Sequence, residues 1–186
     1  MLISTKMKKE YSLDIKIPAG VACEIKDKII SCKKGSDILE RKIVLLDTAV
    51  NIKGDEIKFF CKKANKKDIA KVKAFTSHLN NMFKGFEEKF VYELEICNVH
   101  FPITAKVDGS KLVINNFLGE KKNRVAEIIS GVKVEINGQK ITVSGKDMEK
   151  AGQTAANIER ATLIKGRDRR VFQDGCYIIE KDGRKI

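Results

Sequence analysis

Three segments of the chain share one pattern, and that pattern sharply restricts the fold. Residues 21–32, 50–61 and 134–145 each alternate apolar and polar side chains on two arms around a tight polar centre. Period-two alternation broken by a short turn is the signature of a half-buried β-hairpin. Gly54 and Asn137-Gly138 supply the positive φ that such turns require. A second likeness links the first and third segments: Gly20-Val21, Glu24-Ile25 and Ile30 recur as Gly131-Val132, Glu135-Ile136 and Ile141, at an offset of 111. Internal duplication is the economical explanation.

A helix is expected after the second and third hairpins. Over residues 68–83 an apolar stripe runs through Ile69, Val72, Phe75, Leu79, Met82 and Phe83. Over residues 147–162 it runs through Met148, Ala151, Ala155, Ile158 and Ala161, and Gly152 and Ala156 add small side chains that allow close approach to a sheet. Asp68 and Asp147 open the two helices, where a carboxylate caps free amides and complements the helix dipole. Further strands are expected over residues 89–97, 100–107 and 111–115, with Asp108-Gly109 as a turn. Strands clustered ahead of a helix argue for an α+β fold with mostly antiparallel sheets rather than alternating βαβ units. The expected architecture is two duplicated domains, residues 1–86 and 87–186, each of antiparallel hairpins packed on one helix.

A length of 186 residues suits two small domains, and 42% hydrophobic residues can fill their cores. The longest aliphatic run, Ile43 to Leu46, is far below the ~20 residues that span a bilayer. No apolar stretch follows the basic opening residues, so no signal peptide is expected. Five cysteines, Cys23, Cys32, Cys61, Cys97 and Cys176, are odd in number and contain no C-x-x-C pair. They read as buried thiols in a reducing compartment, not as a zinc site or a disulfide framework. The chain is expected to be a soluble, intracellular, basic globular protein.

Enzyme motifs are missing. There is no G-x-S-x-G, no phosphate-cradling G-x-x-x-x-G-K-[ST], no G-x-G-x-x-G and no H-E-x-x-H. The only histidines, His78 and His100, have no partner near them in sequence and read as structural or surface residues. Glu87-Glu88 and Glu93/Glu95 read as solvated strand faces. No catalytic residue, metal, cofactor or small-molecule substrate is expected.

The informative stretch lies near the C-terminus. Arg160, Lys165, Arg167, Arg169 and Arg170 face one acid, Asp168, with Gly166 among them. They precede Asp174-Gly175, read as a short hairpin with Phe172 and Tyr177 on its arms. Arginine forks on a turn, braced by aromatics, suit contact with the phosphates of a structured nucleic acid. On composition alone, a solvated loop that keeps the domain soluble reads equally well.

Gln153, Ile158, Lys181 and the run from Arg170 to Ile178 resemble the C-terminal signature of the large-subunit ribosomal protein six family, in its archaeal and eukaryotic branch. His100-Phe101-Pro102-Ile103, residues 116–121 and residues 80–85 agree with it, so the likeness spans essentially the whole chain. Cys176 stands where that family would suggest an aliphatic residue. The resemblance implies two domains of one duplicated α+β fold. It also implies binding to large-subunit rRNA near the sarcin–ricin loop, beside the site where GTPase elongation factors act and among neighbouring ribosomal proteins. The C-terminal domain would make the main contacts, without catalysis.

Bulk charge points elsewhere. The formal charge is +12, of which residues 1–86 carry +9 and residues 87–186 only +3. Contact depends on where cations converge, so Lys165, Arg167, Arg169, Arg170, Arg160 and Lys181 are the expected RNA-binding residues. Lys121, Lys122 and Arg124 are a second set, and Gln153 has two readings, bracing the loop or touching RNA. Lys6, Lys8, Lys9, Lys62, Lys63, Lys66 and Lys67 would add long-range attraction. Phe172 and Tyr177 are assigned to packing ahead of base stacking. The rival reading is a protein–protein adaptor whose basic face meets an acidic partner.

Overall fold

The computed structural model describes residues 9–45 and 48–186 and divides the chain into two compact units, the first ending at Glu87 and the second running from Glu88 to Ile186. Lys6 and Lys8 lie outside the described residues, as does the side chain of Lys9.

Unit one contains strands β1 (Lys9–Lys16), β2 (Ala22–Lys26), β3 (Ile29–Lys34), β4 (Asp37–Lys42), β5 (Ala49–Lys53) and β6 (Glu56–Ala64), followed by helix α1 (Lys66–Glu87). Its strands form two antiparallel sheets, β1-β6-β5 and β2-β3-β4. The β2–β3 turn is Asp27-Lys28, both at positive φ without a glycine (49° and 60°), which matches the twist of a two-residue hairpin. Val72, Phe75, Leu79, Met82 and Phe83 of α1 pack in one core with Ile15, Ile30, Cys32, Ile57 and Phe59. Phe59 and Phe75 meet edge to face, with centroids 5.9 Å apart.

Helix α1 is longer than its apolar stripe suggested. The Asn65 side chain accepts from the amides of Lys67 and Asp68, and the Asp68 carboxylate accepts from the Asn65 amide. This reciprocal box sets the start at Lys66. At the other end the expected stop at Phe83 is replaced by about one further turn of helix, through a buried Gly85 and a Phe86 packed on the core. That packing outweighs a helix penalty of about 1 kcal/mol for glycine.

Unit two contains β7 (Phe90–Cys97), β8 (Thr104–Asp108), β9 (Lys111–Asn115), β10 (Arg124–Glu127), β11 (Val132–Asn137), β12 (Lys140–Gly145), helix α2 (Met148–Ala161), β13 (Gly175–Lys181) and β14 (Arg184–Lys185). The sheets are β11-β12-β7-β13-β14 and β10-β9-β8. Every second residue of central strand β7 (Phe90, Tyr92, Leu94, Ile96) is buried. Asp147 caps α2 by accepting from the amides of Glu149 and Lys150. Ala151, Ala155 and Ile158 are completely buried in the core.

The fold is α+β with a duplicated antiparallel plan, but the repeat runs at a different offset from the one the sequence suggested. Order β1-β6-β5 recurs as β7-β12-β11, and β2-β3-β4 as β8-β9-β10. The matched hairpins are therefore β5–β6 and β11–β12: Val50 opposite Phe59 and Ile52 opposite Ile57 correspond to Val134 opposite Val143 and Ile136 opposite Ile141, an offset of 84. The 111-residue likeness joins β2–β3 to β11–β12, which hold different places in the plan. Two-residue hairpins with one buried face look alike wherever they sit.

Two strand expectations also change. β8 begins at Thr104 rather than His100, because the Val99 and His100 amides both bond the Asp174 carboxylate and Pro102 has no amide to offer. Asp174-Gly175 is not a hairpin turn: Gly175 opens β13, which pairs antiparallel with β7 inside the five-stranded sheet. The buried Asp174 side chain fixes the chain where it enters that sheet.

Candidate nucleic-acid interface

The basic segment leaves α2 at a pinned point. Thr162, almost fully buried at the helix C-terminus, donates its hydroxyl to the Glu159 carbonyl (3.1 Å) and accepts from the Cys176 amide (2.9 Å). One hydroxyl thus closes the helix and ties it to β13. Ile164 then turns into the core, and from Lys165 to Arg170 every residue is exposed.

The loop is shaped by its one acid. The Asp168 carboxylate accepts from the Arg170 amide (2.9 Å), and its carbonyl accepts from the amides of Val171 and Phe172. That is an Asx turn, which short side-chain carboxylates favour. Gly166 contributes a positive φ of 68°. Phe172 closes the loop: its ring stacks on His100 at 4.8 Å and 22°, and the Arg167 guanidinium sits 4.8 Å from the same ring.

Beneath this stack lies Asp174, completely buried. Its carboxylate accepts from the Val99 amide (2.8 Å), the His100 amide (2.9 Å) and the His100 ring Nδ1 (2.6 Å). Burial opposes the charge, yet these donors together hold the carboxyl below its ordinary range. The sequence reads His100 as a structural or surface residue and Asp174 as part of a turn, but does not pair them. They are 74 residues apart, and no local pattern links them.

Thr162 and Asp174 therefore pin a loop whose cations point outward. Among the described residues, Lys165, Arg169 and Arg170 have no carboxylate within ion-pairing distance. Arg160 and Arg169 converge on an open groove of about 260 Å³, with Leu163 and Tyr177 as apolar walls and Glu159 as its acid.

Arg124 plays a different part from its neighbours. It grips Glu120 with two parallel bonds (2.9 and 2.7 Å), donates to the carbonyls of Ala161 and Leu163, and lies 4.2 Å over the Phe117 ring. Its hydrogen bonds, with its charge, hold the Glu120 carboxyl below the usual range. The guanidinium is thus occupied within the protein. It fastens the loop bearing the exposed Lys121 and Lys122 to the start of the basic segment.

Two other candidates stand outside the groove. Gln153 is exposed and donates to Asn157, which in turn bonds the Glu127 carbonyl, so it braces α2 against β10. Lys181 ends β13, roughly 20 Å along the strand from Gly175 at ~3.3 Å per residue. Lys62, Lys63, Lys66 and Lys67 are exposed around the β6–α1 junction of unit one. Among the described residues no group of three His, Cys, Asp or Glu side chains could hold a metal ion, and no helix is long and apolar enough to cross a membrane.

The family model described as Ribosomal protein L6 matches residues 101–175, a stretch that includes the loop from Lys165 to Asp174. The chain is 40% identical over 173 residues to the large ribosomal subunit protein uL6 of Methanococcus vannielii, covering 93% of this chain and 95% of that protein. It is 41% identical over 175 residues to the protein of the same name from Methanosarcina mazei, covering 94% and 99%.

Proposed function

The chain belongs to the ribosomal protein L6 family, in its archaeal branch, and from that premise we propose that it binds large-subunit rRNA near the sarcin–ricin loop through the pinned basic segment. It is a structural constituent of the large ribosomal subunit and not an enzyme. On this proposal it supports the region where GTPase elongation factors act, within the cytoplasmic ribosome and beside other ribosomal proteins.

One observation carries the RNA site: exposed cations without acidic partners stand on a loop already fixed at both ends. Binding then orders little backbone, so less of the contact energy is lost to conformational entropy. Lys165, Arg167, Arg169, Arg170 and Arg160 form charge-assisted hydrogen bonds to phosphate oxygens, and each contact releases counterions. Lys121 and Lys122 extend the contact, positioned by Arg124. Lys181 and Gln153 lie at its margin.

The test is filter binding to an rRNA fragment carrying the sarcin–ricin stem, across a salt series, against duplex RNA of equal length. Tighter binding to the fragment at every salt concentration is expected. Equal and steeply salt-sensitive binding to both would overturn the reading, because a net charge of +12 is attracted to any phosphate chain.

A further inference from the structure

Cys23 on β2 and Cys32 on β3 stand directly opposite each other in the hairpin register. Lys26 and Ile29 flank the two-residue turn and form a hydrogen-bonded pair; alternation outward makes Cys23–Cys32 a non-bonded pair. At such pairs Cα atoms approach to about 4.5 Å, within the ~4.4–6.8 Å that a disulfide bridges. Both side chains lie on the core face with Ile25 and Ile30, and their sulfurs are 2.7 Å apart. Cys32 is completely buried, whereas Cys23 is only half-buried.

We propose that Cys23 and Cys32 form a thiol–disulfide exchange site that takes a low-molecular-weight disulfide, such as oxidised glutathione, as its oxidant. The Cys23 thiolate attacks one glutathione sulfur, forming a mixed disulfide and expelling the other glutathione as thiolate, which takes up a proton. The Cys32 thiolate then attacks the Cys23 sulfur, closing the cross-strand bond and releasing the second glutathione. Two protein thiols lose two electrons and two protons, and one oxidised glutathione becomes two reduced molecules. Excess reduced glutathione runs the exchange backwards.

The environment assigns the two roles. The hydrogen bond from Cys32 lowers the Cys23 thiol below its ordinary range, against the opposing effect of burial. The same contact and burial push Cys32 up. Cys23, the more exposed thiol, meets the reagent, and Cys32 needs no access because its target is delivered from across the strand pair. The register forbids a bridge between Cys97 and Cys176: Cys97 stands opposite Gly175 and Cys176 opposite Ile96, so these two sulfurs leave opposite faces of the sheet.

The site is independent of RNA binding and is tested on the full chain. The protein is incubated with oxidised glutathione, unfolded, alkylated and mapped by mass spectrometry. The expected result is a fall from five alkylated thiols to three, with one peptide pair joined through Cys23 and Cys32, reversed by reduced glutathione. Cys32→Ala should stop at a glutathione adduct on Cys23, and Cys23→Ser should abolish the link. Five free thiols in the treated wild type, a stable adduct on Cys23 with Cys32 still free, or links scattered among other cysteines would each overturn the proposal.

Discussion

Asp174 and His100 are joined side chain to side chain at 2.6 Å, and the same carboxylate also takes the backbone amides of Val99 and His100. Three donors converge on one buried acceptor group. They hold the His100 ring where Phe172 stacks on it, and Phe172 in turn carries Arg167. The outermost cation of that stack is thus positioned by a carboxylate it does not touch.

Removing that carboxylate should cost more than an average core change. Asp174→Ala leaves the Val99 and His100 amides and the His100 ring nitrogen without their shared acceptor, and a loss of about 2 kcal/mol is expected in urea denaturation. Asp174→Asn keeps one acceptor oxygen and should lose less. An Asp174→Ala variant within ~0.5 kcal/mol of wild type would show that the cluster holds nothing.

The same group predicts acid sensitivity of a defined sign. The folded state holds the Asp174 carboxyl below its ordinary value of 3.8, because hydrogen bonds to the charged form outweigh burial. Its contribution is therefore full above that value and is lost as the pH falls through it toward the folded pKa. Wild type and Asp174→Asn should differ most above about pH 4 and converge below it. A gap that stays constant from neutral pH into acid would contradict this linkage.

Arg124 should resist conservative replacement. Arg124→Lys keeps the charge but cannot span both Glu120 oxygens, the carbonyls of Ala161 and Leu163 and the Phe117 face together. A stability loss of about 1–3 kcal/mol is expected for the lysine variant. Full stability in Arg124→Lys would show that charge alone suffices.

Gly152 offers a packing test. A mid-helix Gly→Ala change ordinarily gains about 1 kcal/mol. Here the added Cβ would lie 3.1 Å from the Tyr92 Oη and 3.3 Å from Cζ, on a ring buried in the core. Gly152→Ala should therefore be neutral or destabilising in wild type and more favourable in a Tyr92→Phe background. Equal effects in the two backgrounds would remove Tyr92 as the cause.

The hairpins were legible because alternation and a two-residue turn are local, and β9 was placed over residues 111–115 from its pattern alone. The helix stripes were legible for the same reason, whereas the Asn65 cap and the extension through Gly85 depend on tertiary packing. The turn expected at Asp174-Gly175 is absent because Asp-Gly favours a turn without requiring one, and the deciding contacts here are not local. Here Asp174 is claimed by amides 74 and 75 residues away. Among the candidate site residues, the cationic run could be read directly from the sequence, but not its division of labour. Nothing in the order of residues separates Arg124, whose guanidinium is bonded internally, from Arg169, which opens onto the groove.

Whether the pinned loop is the RNA contact can be read from the salt dependence of the Arg169→Ala/Arg170→Ala double variant on the sarcin–ricin fragment. Two lost phosphate contacts should weaken binding and reduce the slope of log affinity against log salt by up to about 2 units, with urea stability unchanged because both side chains are exposed. An unchanged affinity and slope in a variant of wild-type stability would place the RNA contact elsewhere on the protein.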